Sequence, residues 1–267
     1  MFEQWLDNAV RRGVPDEEID RIRREHGIGP ASFAILETLP VFTDPDKKSY
    51  FLLPRDISGE DAASVVLMTY IVNAGTDYGT ADSPANASHD RTPTPNDFSE
   101  TPYSSAEISR ISRRQAANWW SYAQDVGFMM ARGAGLVTTP NGILMGLGGG
   151  RLVSIFAAKG GTTWGDIFRL NIDRPMDPAV TLENIVTSGS MPISQDPSGT
   201  TNHWLDLDRL LHHEEIHAEQ WAHKGYYGFL LSYAWQGIKA RGDGRKIPLE
   251  QQAGLADGGY VSSVMPV

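Results

Sequence analysis

Apolar side chains recur at helical spacing at the start of the chain and predict two short helices. Phe2, Trp5, Leu6 and Val10 fall on one face of a first helix, which Gly13 ends. A proline followed by three acidic residues then opens a second helix, because acidic groups are favourable in a first helical turn. The chain is therefore predicted to begin as a pair of helices.

A capped helix follows, and then the periodicity is lost. Ser58, with an acidic residue three positions on, predicts the start of a helix over 61–73. Pro, Ser, Thr, Asp and Asn dominate residues 75–103, which is typical of a long surface loop. We therefore divide the chain into an N-terminal helical or mixed region, 1–100, which this loop ends, and a second domain, 101–267.

The second region mixes helical and strand patterns and is predicted to be α+β. A long helix covers 104–133, and Asn141-Gly142 marks the turn of a hairpin over 135–146. Further strands are predicted at 152–157, 166–171 and 180–187, and further helices at 205–225, at 226–237 and from Pro248.

Composition excludes several classes of function. There are 33 acidic and 23 basic residues, a formal charge of −10, and the pI is about 5.1; nucleic acids and anionic membrane surfaces select clusters of Lys and Arg instead. The chain has no cysteine, which excludes a thiol nucleophile and a thiolate metal site. No apolar run reaches the roughly 18 residues of a membrane span, and no signal peptide is visible. We therefore expect a protein without a membrane span, either cytoplasmic or exported by a signal-peptide-independent route.

The histidines are concentrated in one segment, and two of them belong to an HExxH motif, His213-Glu214-Glu215-Ile216-His217. Residues four apart lie one above the other on a helix, so both imidazoles can bind one Zn²⁺ at about 2.0–2.1 Å. Glu214 lies beside them, where it can accept a proton from a metal-activated water. The motif therefore predicts a hydrolytic zinc site.

A catalytic zinc site needs a third protein ligand, and the sequence offers two candidates. His223 follows His213 by ten residues, as in HExxHxxGxxH, but Gln220 stands where that pattern has the glycine that turns the chain back. A continuing helix would carry His223 about 240° around the axis from His217, while Gln220 would stay on the metal face and contact a ligand. Glu250, delivered from a second helix, would complete a His₂Glu site instead.

The segment from 213 to 253 resembles the HExxH zincin-like metallopeptidase domains of bacterial polymorphic toxins and contractile-injection-system loci. That family pattern is HExxHxxQW, a glycine, an aromatic and aliphatic segment ending in Tyr, and P-x-E-x-x-A. In this chain it reads His213 to His217, Gln220-Trp221, Gly225, Gly228-Phe229-Leu230-Leu231, Tyr233, and Pro248-Leu249-Glu250 to Ala253.

The resemblance implies a zincin-like α+β fold: a long backing helix, a small twisted sheet, the HExxH helix, and a C-terminal helix carrying the third ligand. It implies a gluzincin-like site in which His213, His217 and Glu250 bind Zn²⁺ and Glu214 is the general base. Glu215 departs from the pattern, because such helices usually carry an apolar or small residue there. The likeness does not extend to the N-terminal region.

On these grounds the sequence predicts a zinc metallopeptidase that hydrolyses a peptide or protein substrate through a metal-activated water, with Glu214 as general base. A role as a toxin or effector, with a secretion-system or immunity partner, is implied by the resemblance alone. The alternative is a non-catalytic, metal-stabilised interaction module of a secretion or toxin assembly. A fourth protein ligand, His212 or His223, would distinguish that module.

Two further patterns are interpreted as structural. The glycine-rich stretch 146–151 lacks the third glycine of a dinucleotide fingerprint and is not followed by Gly-Lys-Ser/Thr, so we interpret it as a turn between strands. Arg110, Arg113 and Arg114 lie close together in the predicted long helix. We expect them on its solvated face.

Overall fold

The computed structural model describes residues 1–76, 102–149, 161–172, 177–194, 202–240, 243–255 and 257–259, without the side chains of residues 193, 194, 202 and 203. Within these ranges the fold is α+β, as the sequence predicts. None of the helices in these ranges combines the length and hydropathy needed to cross a membrane. The predicted strand at 152–157 and most of the predicted loop at 75–103 lie outside the described residues.

The N-terminal part consists of helices around one short hairpin. Its elements are α1 (Phe2–Arg11), α2 (Asp16–His26), a 3₁₀ turn (Pro30–Phe33), α3 (Ala34–Glu37), β1 (Val41–Thr43), β2 (Ser49–Phe51) and α4 (Gly59–Val72). Both predicted N-terminal helices are confirmed. The predicted cap of α4 is also confirmed, because the Ser58 side chain accepts a hydrogen bond from the backbone N–H of Asp61.

The second part places a mixed sheet between helices. Its elements are α5 (Ser105–Ala117), a π-helical segment (Ser121–Val126), α6 (Gly127–Ala131), β3 (Gly135–Thr138), β4 (Leu144–Leu147), β5 (Gly161–Trp164), β6 (Ile167–Leu170), α7 (Pro178–Ser188), β7 (Ser190–Ser194), β8 (Asn202–Asp206), α8 (Leu207–Lys239), a 3₁₀ turn (Gly244–Lys246) and α9 (Pro248–Ala253). The predicted hairpin at 135–146 is confirmed as β3 and β4.

The largest sheet has four strands in the order β3-β4-β6-β5. Strands β4 and β6 are parallel, and the other two neighbouring pairs are antiparallel. The order leaves β5 at one edge, where it contacts α8. Strands β1 and β2 form a separate hairpin, and β7 and β8 form a third, two-stranded sheet. The edge strand β5 therefore lies directly beside the helix that carries the HExxH motif.

The strand predicted at 180–187 is wrong, because this segment is part of α7. Its β-branched residues favour a strand, but the preceding residues start a helix. The side chain of Asp177 accepts hydrogen bonds from two backbone N–H groups of the first turn, and Pro178 occupies the first helical position. Leu182, Ile185 and Val186 are buried at helical spacing. Capping and burial therefore determine the element.

The single helix predicted over 104–133 is divided in the structure. Helix α5 ends at Ala117, and a π-helical segment separates it from α6. At the break, the buried Asn118 turns its amide to donate to Asp166 Oδ1 at 2.8 Å and to the backbone carbonyl of Ala218 at 2.9 Å. These tertiary hydrogen bonds join the break to the sheet and to α8, and local helical periodicity cannot show them.

The two helices predicted at 205–225 and 226–237 are confirmed as the two halves of α8, which meet at a bend. The bend is at Gly225, whose φ of 68° and ψ of 168° are not helical. Glycine adopts this region without the steric penalty that a side chain would add. The bend lets the second half of α8 follow a different direction from the half that carries the motif.

Two large hydrophobic clusters fill the interior of the described residues. One joins α1, α2 and α4 to α5, α6 and parts of β3, β4 and β6. It therefore includes side chains from both sides of the predicted division at residue 100, a division that stays a prediction. The other lies among β3, β4, β6, α7 and the start of α8. The first half of α8 therefore packs against the hydrophobic core formed by these strands and α7.

Candidate metal centre

The HExxH motif lies in the buried first half of α8. The side chain of Asp206 caps this helix by accepting from the backbone N–H groups of the second and third helical residues. His213 and His217, one turn apart, are both buried and have their Nε2 atoms 3.1 Å from each other. The predicted convergence of the two imidazoles on one face is confirmed.

Helix α9 brings Glu250 to the two histidines. Its Oε2 lies 3.5 Å from His213 Nε2 and 3.3 Å from His217 Nε2, and its side chain is buried. The side chain of His223, six residues after His217, is in contrast exposed to solvent. His212 is buried beside Glu215, with 3.8 Å between His212 Nδ1 and Glu215 Oε2. Of the candidate third ligands, the structure brings only Glu250 into the group formed by the two motif histidines.

The hydrogen bonds of the imidazoles fix their proton positions. His213 Nδ1 lies 3.0 Å from the carbonyl oxygen of Ala253 and 2.9 Å from that of the following glycine, both of which can only accept. His217 Nδ1 lies 2.9 Å from Gln220 Oε1, whose amide nitrogen donates to the carbonyl of Leu249 at 3.0 Å. Both Nδ1 atoms therefore carry the hydrogen, and each Nε2 of a neutral ring presents a lone pair.

Three acceptor atoms thus converge on one point. The two Nε2 lone pairs and Glu250 Oε2 are separated by 3.1 to 3.5 Å, and such an arrangement is stabilised by a cation. Ligands at about 2.0–2.1 Å in a tetrahedral shell lie about 3.3 Å from one another, which agrees with the three distances. The chemistry of this donor set, two imidazoles and one carboxylate, also suits zinc. The residues present therefore fit Zn²⁺.

Burial and charge oppose each other in this group. Burial lowers the pKa of His217, but its attraction to Glu250 and Glu214 outweighs burial and raises the value to about 9. Burial raises the pKa of Glu250, but attraction to His217 and hydrogen bonds from both histidines outweigh it and hold the value well below the ordinary range. Glu250 is therefore a carboxylate, as a metal ligand must be.

Glu214, the predicted general base, lies next to the ligand group and is buried. Its Oε2 accepts a hydrogen bond from Thr163 Oγ1 at 2.7 Å. Burial is the largest influence on this carboxyl and raises its pKa, against the lowering effect of His213 and His217. A raised pKa brings a carboxyl closer to the range in which a general base both accepts and returns a proton.

Gln220 contacts a ligand, as the sequence predicts. Besides its bond to His217, its amide donates to the backbone carbonyl of Leu249 in α9. Tyr233, from the second half of α8, contacts the proposed ligand Glu250, because its hydroxyl donates to Glu250 Oε1 at 3.1 Å. That bond occupies the carboxylate oxygen that does not face the two Nε2 atoms, so it orients Oε2 toward the centre.

We expect the Gln220→Ala substitution to lower zinc affinity about 10–100-fold, because outer contacts of this kind orient the ligands. The His217 ring would lose the acceptor that fixes its proton on Nδ1, and α8 would lose a hydrogen bond to α9. Competition with a chromophoric zinc chelator measures the affinity. The matched control is Gln251→Ala, an exposed glutamine of α9; equal affinities for the two variants would contradict the orienting role.

On the opposite side of the motif helix, Glu215 belongs to a buried ionic network. Its Oε1 lies 2.9 Å from Arg110 Nη2 and 3.3 Å from Arg114 Nη1, and its Oε2 accepts from Asn141 Nδ2 at 3.1 Å. Burial raises the pKa of Glu215, but the bond with His212 and the two guanidinium groups outweigh it and lower the net value. The acidic side chain at position 215 is therefore matched by two cations of α5.

The expectation that the three arginines of α5 are solvated is wrong for Arg114. Its side chain is fully buried, its Nη2 donates to the carbonyls of Asn141 and Gly142 at 3.1 and 2.6 Å, and its Nε lies 3.3 Å from Asp166 Oδ1. Arg110 is partly buried, and Arg113 is exposed. Arg114 thus joins the β3–β4 turn, the turn before β6 and the motif helix.

We expect Arg114→Met to lower the free energy of unfolding by about 3–5 kcal/mol, because it leaves the buried carboxylate of Asp166 without its cation and removes one of the two cations beside Glu215. The control is Arg113→Met on the neighbouring exposed position, where the change should stay within about 0.5 kcal/mol. Urea unfolding followed by circular dichroism measures both. Similar losses in the two variants would contradict the structural role of Arg114.

A second acidic group lies at the start of α8. The carboxylates of Asp44, Asp46 and Asp208 lie close enough to share a cation, but Lys48 already lies among them. Its Nζ is 3.4 Å from Asp44 and 3.9 Å from Asp46 and contacts Asp208 directly. Burial raises the pKa of Asp208 to about 7, against the lowering effect of Lys48. This group joins the β1–β2 hairpin to α8 as an ion cluster, and we interpret it as structural.

Two residues of the centre have no counterpart in the sequence motifs. Thr163 of β5 hydrogen-bonds to Glu214, and nothing in the order of residues around it indicates that contact. Gly258 lies so close to the His213 ring that an added Cβ would stand 2.5 Å from Cε1. Any residue with a side chain at this position would therefore clash with the His213 ring. The sequence around Gly258 indicates a turn and does not indicate this contact.

A cavity of about 300 Å³ reaches the centre, and its lining includes the two motif histidines, Glu214 and Glu250. The arrangement can therefore hold a dication at three buried ligands, with a carboxylate base beside it and room for a ligand on the same side. Comparisons of the chain with family models, with curated proteins and with solved structures found no match.

Proposed function

We propose that this protein is a zinc-dependent metallopeptidase with a zincin-like fold and a gluzincin-like site. The observation that carries the proposal is the convergence of His213 Nε2, His217 Nε2 and Glu250 Oε2, which lie 3.1 to 3.5 Å from one another. The HExxH order and the buried Glu214 beside this group support hydrolysis as the reaction. A peptide or protein is the proposed substrate.

His213, His217 and Glu250 would hold the ion. Zinc, when bound, supplies Lewis acidity, which polarises a peptide carbonyl and acidifies a water. Glu214 then takes the proton of the attacking water and returns it to the leaving amine. Because Thr163 donates to Oε2 of this carboxylate, Oε1 is the oxygen that we assign to the proton.

Three features of the chain itself support this division of roles. Gln220 and the carbonyls at the end of α9 keep the hydrogen of each imidazole on Nδ1. Tyr233 keeps one oxygen of Glu250 directed away from the ligand group. The network around Arg114 holds the motif helix against α5 and the sheet. All of these contacts exist before any substrate arrives, so the site is preorganised.

The alternative, a non-catalytic metal-stabilised interaction module, would be favoured by a fourth protein ligand. Within the described residues the ligand group contains three members. The two histidines that could close it, His212 and His223, are beside Glu215 and in solvent respectively. We therefore propose the hydrolytic function; the toxin or effector role and its partners stay predictions.

Chelation of the metal tests the proposal. We expect 1,10-phenanthroline to abolish the cleavage of a denatured protein substrate and added zinc to restore it, because the ion supplies the Lewis acidity. The non-chelating isomer 1,7-phenanthroline is the control and should leave cleavage unchanged. Cleavage that persists after the metal has been removed, as shown by metal analysis of the same sample, would overturn the proposal.

A further inference from the structure

The cavity at the metal centre has an apolar wall. Outside the ligand group and β5, its large lining residues are Tyr233 and five apolar residues: Leu205, Leu210, Trp221, Phe229 and Leu230. Within the described residues no Lys or Arg lines the cavity, and its charged groups are the two carboxylates of the centre and the motif histidines. Apart from the proposed Zn²⁺, an acidic substrate side chain would meet no Lys or Arg among these lining residues, whereas an apolar one would be removed from water.

Stacked rings make part of this wall rigid. Phe229 stacks on Trp221, with ring centroids 4.0 Å apart and planes inclined by 19°. Tyr233 also stacks on Phe229, with ring centroids 5.9 Å apart, and its hydroxyl donates a hydrogen bond to Glu250. The stack therefore runs from the wall to a proposed metal ligand. A flat apolar or aromatic group that enters the cavity meets a surface that is already formed.

The edge strand β5 lines the same cavity, but one of its outward acceptors is used. Strands β5 and β6 form a hairpin with a two-residue turn. Trp164 and Ile167, which flank the turn, therefore form the hydrogen-bonded pair that closes it. The next pair along the ladder is not hydrogen-bonded, which directs the backbone of Thr163 away from β6. Its carbonyl accepts from Trp221 Nε1 at 3.0 Å. A substrate backbone that pairs with β5 would therefore have to share this acceptor with Trp221.

From these contacts we infer that the cavity selects substrates by a bulky apolar or aromatic side chain beside the cleaved bond, more than by pairing of the substrate backbone with β5. The inference rests on the proposed function and names the substrate class of the same site. Two neighbouring leucines make it testable: Leu230 lines the cavity, and Leu231 is 73% exposed. They differ by one position on α8 and present their side chains to different surroundings.

The test measures binding, so that it does not depend on hydrolysis. The protein is the zinc-loaded full chain with Glu214→Gln, and the probes are end-blocked glycine pentapeptides whose central residue is Phe, Ala or Asp. We expect calorimetry to show the Phe peptide binding at least about tenfold tighter than the Ala peptide, with the Asp peptide weakest. Equal binding of the three, or no binding of the Phe peptide, would overturn the inference.

Charge substitutions at the two leucines provide the second readout. We expect Leu230→Arg, in the same background, to weaken the Phe peptide about tenfold or more and to make the Asp peptide the tightest, because the new cation faces the cavity. Leu231→Arg should keep the original ranking. A ranking unchanged by Leu230→Arg, or changed equally by both, would overturn the inference. If Leu230→Arg does not fold, the peptide ranking in the parent protein still decides.

The two proposals fail in different ways. Suppose that the wild-type protein binds zinc and cleaves no peptide, while the Glu214→Gln protein binds the Phe peptide preferentially. This result contradicts the peptidase proposal and supports the apolar binding site. Cleavage by the wild type next to all residue types alike, with no Phe preference in binding, supports the peptidase and contradicts the side-chain selection.

Discussion

Peptide cleavage should fall by about 10²–10⁴-fold in the Glu214→Gln variant, while zinc content and stability stay unchanged. The amide has nearly the volume of the carboxyl and can still accept from Thr163 through its oxygen, so the packing around position 214 is kept. What it lacks is the basic oxygen that takes a proton. Glu214 is not one of the three converging ligands, so the substitution keeps the whole proposed ligand set of the ion.

The measurement is the rate of cleavage of a fluorogenic peptide, with zinc determined in the same samples by plasma mass spectrometry. Glu183→Gln, an identical change at an exposed position of α7, is the control and should match the wild type. Cleavage at the wild-type rate in Glu214→Gln would sink the assignment of the base. Loss of zinc together with activity would instead show that Glu214 supports metal binding.

The Glu250→Ala variant should lose zinc on dialysis, in contrast to the wild type, which should retain about one ion per chain. The substitution removes the only carboxylate among the converging ligands and the negative charge that faces both Nε2 atoms. It also removes the acceptor of the Tyr233 hydroxyl. We expect the affinity loss to exceed the about 10–100-fold that changes in outer contacts produce.

Two controls make this result specific. His223→Ala should keep the zinc, because that side chain is exposed, and Gln251→Ala should keep it although it lies next to Glu250 on α9. Plasma mass spectrometry after dialysis measures all four proteins. Zinc retained in Glu250→Ala and lost in His223→Ala would assign the third ligand to His223 and contradict the His₂Glu centre.

Much of the site was predictable because its information is local. The spacing of His213 and His217 places both on one helix face wherever the helix lies, and Gln220, one turn beyond, reaches His217 for the same reason. The capping signature at Ser58 and the hairpin turn at Asn141-Gly142 likewise involve neighbours in sequence, and both are confirmed.

The errors arise where contacts between distant residues decide. Arg114 has the sequence context of a surface arginine, but Glu215 and Asp166, far along the chain, bury it. Asn118 interrupts the predicted long helix because its amide partners are Asp166 and the carbonyl of Ala218. Periodicity counts apolar positions, so it cannot identify a buried charge whose partners lie on other elements.

By itself, the sequence determined the α+β class, the histidine pair, the neighbouring carboxylate of Glu214 and two candidates for the third ligand. Only the tertiary structure decided that Glu250 lies beside the pair while His223 faces solvent, because that choice depends on how α9 packs on α8. The contact of Thr163 with Glu214 depends in the same way on the position of β5. Local geometry fixes residues that share one helix turn, whereas groups on separate elements meet only when those elements pack together.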